Sequence, residues 1–274
     1  MIKDISLGQY FPGNSLVHKL DPRVKLLLTI AFIVSLFLCR GVVPYAIMAI
    51  FLISVIIITR INIKLILKSL KPIFILLLFT SLLNIFYTSE GRVLLSFGPV
   101  IITSGGVYTA IFMVVRIILL VAGTFVMLSY TTSPIMLTDG LESLLSPLKK
   151  IKFPVHELSM MMSIALRFIP TLIDETDKIM SAQRSRGAAF DTGGIIKRAK
   201  ALIPVLIPLF INAFRRADDL ALAMECRCYR GGEGRTSLRQ LSLSKRDYFT
   251  SLVCVLVFAL SIFLSHTLEA GVLI

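Results

Sequence analysis

Three histidines, four cysteines and 16 acidic residues are all that the 274 positions of this chain offer for metal, nucleophilic or acid–base chemistry. His18, His156 and His266 are scattered, and neither His-Glu-x-x-His nor Gly-x-Ser-x-Gly occurs, which removes the usual zinc-hydrolase and serine-hydrolase constellations. No Gly-x-x-x-x-Gly-Lys-Ser/Thr phosphate loop is present, so the chain is not expected to hydrolyse ATP itself. Asp and Glu are nearly absent from the apolar stretches, which denies an intramembrane enzyme its paired carboxylates. Cys39 and Cys254 lie in or beside apolar runs, and Cys226-x-Cys228 has no second Cys/His pair nearby. The cysteines therefore read as packing residues, not as a disulfide framework or a metal site. No catalytic residue, metal or resident cofactor is expected.

What is abundant is apolar sequence: 56% of residues are hydrophobic and the mean hydropathy is +0.86. Such values belong to integral membrane proteins. Five stretches are candidates to cross ~30 Å of hydrocarbon: Leu26–Cys39 (short, extended by its flanks), Val42–Thr59, Pro72–Tyr87, Val107–Tyr130 and Tyr248–His266. The first follows about 25 mostly polar residues without an Ala-x-Ala-type site, so it reads as a retained helix and not as a signal peptide. Lys and Arg number four before the first span, one at Arg40, four from Arg60 to Lys71, one at Arg92, one at Arg116, and 18 of the 29 between Thr131 and Asp247. The positive-inside rule then puts the N-terminus and the 131–247 insert in the cytoplasm and the C-terminus outside. The insert's 12 acidic residues leave it only +6, which suits a mixed-charge surface and not a nucleic-acid groove.

The lead-in to the first span is rich in turn formers, and Asp21-Pro22 predicts a helix start with Asp as N-cap and Pro at the first helical position. His18 and Asp21 alone are too few for a metal. Lys64, Lys68 and Lys71 recur at helical spacing, as in a segment whose lysines reach the lipid headgroups. Thr88–Gly106 reads as an outside loop with room for a short hairpin. Arg116 lies within a span, where an ionisable group marks either a functional site or a long side chain reaching a neighbouring helix or the outer interface.

Within the insert, a short apolar helix runs to Leu148 and two long amphipathic helices follow. The first spans Val155–Arg186, with Leu158, Met161, Met162, Ala165, Ile169 and Leu172 on a stripe of 3.6-residue period and Gly187 as its stop. The second starts at Ile195 or Ala201 and runs to Arg227, with Leu206, Phe210, Ala213, Ala217 and Met224 on its stripe. Pro204 and Pro208 are expected to kink or divide its first half. Each helix is roughly 40 Å long, and neither is apolar all round. The methionines are either filler between crossing helices or an adaptable surface for a membrane partner. Both helices end in an arginine: Ser185-Arg186-Gly187 and Cys226-Arg227-Cys228. A cation in the last turn favours the helix dipole by about 0.3–1 kcal/mol, and a guanidinium beside small residues also offers five donors in a fixed fork. Arg184 and Arg230 are secondary candidates for the same contact.

The run Tyr10-x-Pro12-Gly13-x-Ser15-x-x-His18-x-Leu20-Asp21-Pro22-Arg23-x-Lys25 resembles the opening of the T components of energy-coupling factor (ECF) transporters. Ala182-Gln183-Arg184-Ser185-Arg186-Gly187 and Ala223-Met224-Glu225-Cys226-Arg227-Cys228-Tyr229-Arg230-Gly231-Gly232-Glu233-Gly234 resemble that family's two Ala-Arg-Gly-type motifs, with Ser185, Cys226 and Cys228 replacing smaller residues. The resemblance implies an all-α integral membrane protein. Its parts are a cytoplasmic lead-in (1–25), four transmembrane helices (26–130), a cytoplasmic coupling domain (131–247) and a last transmembrane helix (248–274). It implies Arg186 and Arg227 docked on two ABC ATPase subunits, which bind the ATP and magnesium. It further implies a small membrane S component held by the bundle and the stripes, with Met161, Met162, Leu206 and Phe210 as contacts. The setting implied is the plasma membrane of a prokaryote, and the cargo a vitamin or other micronutrient. The alternatives are a dedicated T component of a cobalt, nickel or biotin importer, a membrane anchor that does not couple, and a stand-alone carrier. The last would show broken spans in matched halves, and none is visible.

Overall fold

The computed structural model describes residues 11, 13–87, 92–97, 100–190, 194–231 and 241–272, whose regular elements are helices apart from one hairpin. The chain forms two compact units, one of Gly8–Gly140 with Leu241–Ile274, the other of Leu141–Gln240.

In the first unit α1 (Pro22–Leu38) starts as its sequence predicts: the Asp21 carboxylate accepts the Arg23 amide at 2.9 Å and Pro22 occupies the first turn. α2 (Val42–Thr59) follows after a tight turn at Gly41, whose φ is +89°. The third apolar stretch is longer than its sequence suggests. It begins as the short amphipathic α3 (Ile63–Leu70), passes through a 3₁₀ turn at Lys71–Ile73 and continues as α4 (Phe74–Tyr87). The expected hairpin is present as β1 (Val93–Phe97) and β2 (Val100–Thr103), antiparallel with a register shift between Val93 and Leu95. α5 (Ser104–Thr124) widens into a π turn over Phe125–Ser129, where the Tyr130 amide bonds the Phe125 carbonyl at 2.9 Å. α9 (Lys245–Val272) closes the unit.

Among the described residues, four helical stretches are long and apolar enough to cross a membrane: 42–59, 63–87, 104–129 and 245–267. α1, with 17 residues, spans about 25 Å. Phe32 and Leu36 on α1 are wholly buried, with Met48, Val126 and Phe258 in the same core, so α1 is an inner member of the bundle. The rings of Phe32, Phe51 and Phe258 meet at 5.2–6.1 Å, within the range of favourable aromatic contact. Gly123 is where α5 passes Phe32: a Cβ there would clash with the edge of the phenylalanine ring.

The intramembrane Arg116 reaches a neighbouring helix through a hydroxyl, its Nε donating to Tyr45 Oη at 2.6 Å. Its guanidinium lies 5.9 Å from the Phe37 ring centre and 5.7 Å from that of Tyr45. Ring faces and one hydroxyl hold the cation, which agrees with the structural reading.

The start of the bundle is tied by a polar hub that no local sequence signal announces. Lys25 is 2% exposed, and its ammonium donates to the Thr131 carbonyl at 2.9 Å and the His18 carbonyl at 3.2 Å. The Asp247 carboxylate accepts the Asp21 amide at 2.9 Å, the Ser244 amide at 2.7 Å and the Ser244 hydroxyl at 2.9 Å. The lead-in, α1, the end of α5 and α9 are thereby joined at one level. His18 bonds Ser15 Oγ and the Phe11 carbonyl. It is a turn former, and no cluster of three metal-ligating side chains exists among the described residues. Tyr10 and Pro12 of the lead-in motif lie outside those residues.

Candidate functional site

The second unit is built on α7 (Val155–Ser185) and α8 (Ile195–Cys226), which pack on each other. α8 begins at the earlier of the two expected positions. It is not divided by Pro204 and Pro208, nor α7 by Pro170. Each proline in α8 removes one carbonyl's partner, that of Lys200 and of residue 204, so successive turns lose one bond each and the remaining ladder holds.

The two helix ends are alike in detail. At the end of α7, Arg186 is the C-cap. The Gly187 amide bonds the Arg184 carbonyl at 2.9 Å and the Ala188 amide bonds the Gln183 carbonyl at 3.0 Å. At the end of α8, Arg227 is the C-cap. The Cys228 amide bonds the Glu225 carbonyl at 2.8 Å and the Tyr229 amide bonds the Met224 carbonyl at 3.0 Å. Both are Schellman closures, which require a left-handed residue just past the cap. Gly187 meets that at φ +89°, and Cys228 does so at φ +56° despite its Cβ. In each case the arginine is the residue at which the chain leaves the helix, and both are exposed. So are their neighbours Ser185, Gly187, Cys226 and Cys228, and both cysteines are free thiols. Arg230 is exposed too, whereas Arg184 is drawn to the Phe190 ring at 5.9 Å. Gly232, Glu233 and Gly234 lie outside the described residues.

The seam between the helices contains a polar clasp. Glu175 on α7 accepts the Asn212 side-chain amide at 2.6 Å and pairs with the Arg216 guanidinium at 3.2 Å. The second contact is an ion pair without hydrogen-bond alignment, because that carboxylate oxygen has no aligned donor. Nothing local in the sequence links Glu175 to Asn212 or Arg216, and only the crossing brings them together. A second clasp joins α6 (Pro134–Leu145) to α7. Glu142 accepts the Ser159 hydroxyl at 2.7 Å and meets His156 Nδ1 at 3.0 Å. Burial opposes ionisation of Glu142, yet the bonds from His156 and Ser159 outweigh it and hold the carboxyl below the usual carboxylate range.

The apolar stripes are left bare. Met161 is 56% exposed and Met162 40% on α7, with Leu206 at 46% and Phe210 at 60% on α8. The two methionines are therefore not filler within this chain. Leu202, Ile203, Ile207, Ile211 and Phe214 extend the α8 face at helical spacing, and a contiguous apolar face of this kind marks a partner or lipid surface.

Residues 13–238 match the family model CbiQ, described as cobalt transport protein. The energy-coupling factor transporter transmembrane protein EcfT of Thermosediminibacter oceani is 54% identical over 246 residues, covering 90% of this chain and 92% of that one. The protein of the same name from Clostridium kluyveri is 51% identical over 96% of this chain and 97% of that one. That from Bacillus subtilis is 47% identical over 96% and 99%.

Proposed function

The chain belongs to the CbiQ/EcfT family of transmembrane components of energy-coupling factor transporters, and from that membership we propose that it transmits ATP-driven closure of two ABC ATPase subunits to a substrate-capturing S component. Arg186 and Arg227 would each dock in a groove of one ATPase subunit, and the bare stripe with Met161, Met162, Leu206 and Phe210 would carry the S component. Closure of the ATPase pair draws the two tips together, and the α7–α8 clasp turns that motion into a tilt of the helices beneath the S component. The cargo, a vitamin or another micronutrient, is chosen by the S component, while ATP and magnesium belong to the ATPases. The insert and the N-terminus face the cytoplasm of a prokaryotic cell, and the C-terminus faces outside.

One observation carries this reading: both long helices end in the same closure with an exposed arginine at the cap. An arginine so placed has its Cα fixed by the helix closure and its guanidinium free to meet a partner's carboxylates or carbonyls in a planar fork, as a force-bearing contact requires. The test is the pair Arg186→Glu and Arg227→Glu in the complete transporter, with ATPase retention and vitamin uptake measured together. A complex that still assembles but no longer imports supports coupling. Import that survives both substitutions overturns it.

A further inference from the structure

A slot of about 500 Å³ lies in the membrane bundle between α2 and α9, with the lead-in across one end. Its walls include Phe51, Ser54 and Ile58 of α2, Thr250 and Val253 of α9, and Leu16 of the lead-in. On α2 the lining runs from Ile47 to Ile58, a rise of roughly 16 Å. That is the depth of one leaflet of a ~30 Å hydrocarbon layer. The volume is that of a single alkyl chain, whereas a partner helix with its side chains is ~10–12 Å across.

One end of the slot is cationic. Arg246 stands four and seven residues before Thr250 and Val253, hence on the same face of α9, and Lys245 is beside it. Arg60 follows the last lining residue of α2 by two positions, and Lys19 lies between the lining residues Val17 and Leu20. All four are exposed, and none has a carboxylate partner among the described residues. The nearby acids do not neutralise them, because Asp21 and Asp247 are buried and hydrogen-bonded within the hub. By the positive-inside rule this is the cytoplasmic end.

We infer that this slot is a specific site for one anionic phospholipid of the cytoplasmic leaflet, with an acyl chain between α2 and α9 and the phosphate held by Arg60 and Arg246, assisted by Lys19 and Lys245. Apolar walls one leaflet deep supply the tail contact, and the cluster at the headgroup level selects the charge. The lipid then packs against Leu16 and Leu20 of the lead-in, which line the slot, and braces them against the bundle.

The test uses the full chain in mild detergent, offered equal amounts of phosphatidylglycerol and phosphatidylcholine with the same acyl chains. Retained lipid is counted by native mass spectrometry. Wild-type protein is expected to keep one phosphatidylglycerol in at least tenfold preference. Arg60→Gln with Arg246→Gln is expected to cut that retention about twentyfold, equivalent to roughly 1 kcal/mol per cation, and to leave phosphatidylcholine unchanged. Ser54→Trp, which fills the slot from an exposed position, is expected to lower retention of both lipids. Lys64→Gln with Lys68→Gln on α3 is the control and is expected to change nothing. The proposal is overturned if the two lipids bind equally, if the α3 pair lowers retention as much as the arginine pair, if Ser54→Trp has no effect, or if glycerol 3-phosphate without tails competes as well as the whole lipid. None of these outcomes bears on ATPase coupling.

Discussion

The Glu175 carboxylate lies 3.2 Å from the Arg216 guanidinium across the α7–α8 seam, and each residue stands eleven positions before the arginine that ends its own helix. The crossing is thus pinned at an equal distance, roughly 16 Å along the axis, from both tips. Arg216 is 40% exposed at its side chain, so solvent screening keeps the pair to about 0.5–1 kcal/mol. A double-mutant cycle with Glu175→Ala and Arg216→Ala, read by thermal unfolding in detergent, should return a coupling energy of that size. A coupling of zero would mean that Asn212 alone holds Glu175.

Cys228 adopts a left-handed conformation that its Cβ disfavours by about 1–2 kcal/mol. Cys228→Gly should therefore slow hydrogen exchange at the amides of residues 228 and 229, with a gain of about 1 kcal/mol. Gly187→Ala should do the reverse at the end of α7. Unchanged exchange in both variants would show that the closures do not govern these ends.

Gly123 faces Phe32 so closely that a methyl group cannot fit beside the ring. Gly123→Ala should destabilise the bundle by about 1–3 kcal/mol, measured as a fall in melting temperature. Phe32→Leu in the same chain should restore much of it, because the obstruction is one ring. Failure of the second substitution to rescue would place the strain elsewhere.

Glu142 has a carboxyl held below the usual range in the folded protein. A depressed carboxylate adds stability that is complete above the unfolded pKa and is lost as pH falls through the lower folded value. Unfolding followed from neutral pH downwards should show the wild type losing stability in the acid carboxylate range, with Glu142→Gln losing less over the same window. Parallel curves would remove the clasp from the pH response.

Lys25 is buried with two carbonyl acceptors and two carboxylates for its charge. Lys25→Met should cost about 2–4 kcal/mol, since the acceptors and Asp247 are left without their cation. Thermal unfolding measures this, and a loss below 1 kcal/mol would mean that water replaces the ammonium.

The elements that could be read in advance are those fixed by local chemistry. Asp21-Pro22 announces α1, Gly187 announces the end of α7, and an apolar stripe of 3.6-residue period announces α7 and α8. Contacts between distant residues were not legible. Nothing local ties Asp21 to Asp247, Lys25 to Thr131 or Glu175 to Arg216, because period and composition carry no information on which polar residue meets which. Cys228 misleads for a related reason: its side chain argues against a left-handed position that the backbone adopts to satisfy two carbonyls. Pro204 and Pro208 argue for a division that the rest of a 32-residue helix overrides.

The bond from the Asp21 amide to Asp247 also fixes an order of assembly. α1 is made well before α9, and the carboxylate that accepts the amide of its cap leaves the ribosome 226 residues later. At ~5–20 residues per second, that delay is on the order of 10–45 s. Throughout it, α1 has neither α9 beside it nor Asp247 at its head. The nascent bundle therefore stays open until residue 247 has been made, and shortening the chain before that point removes the latch from α1 as well as α9.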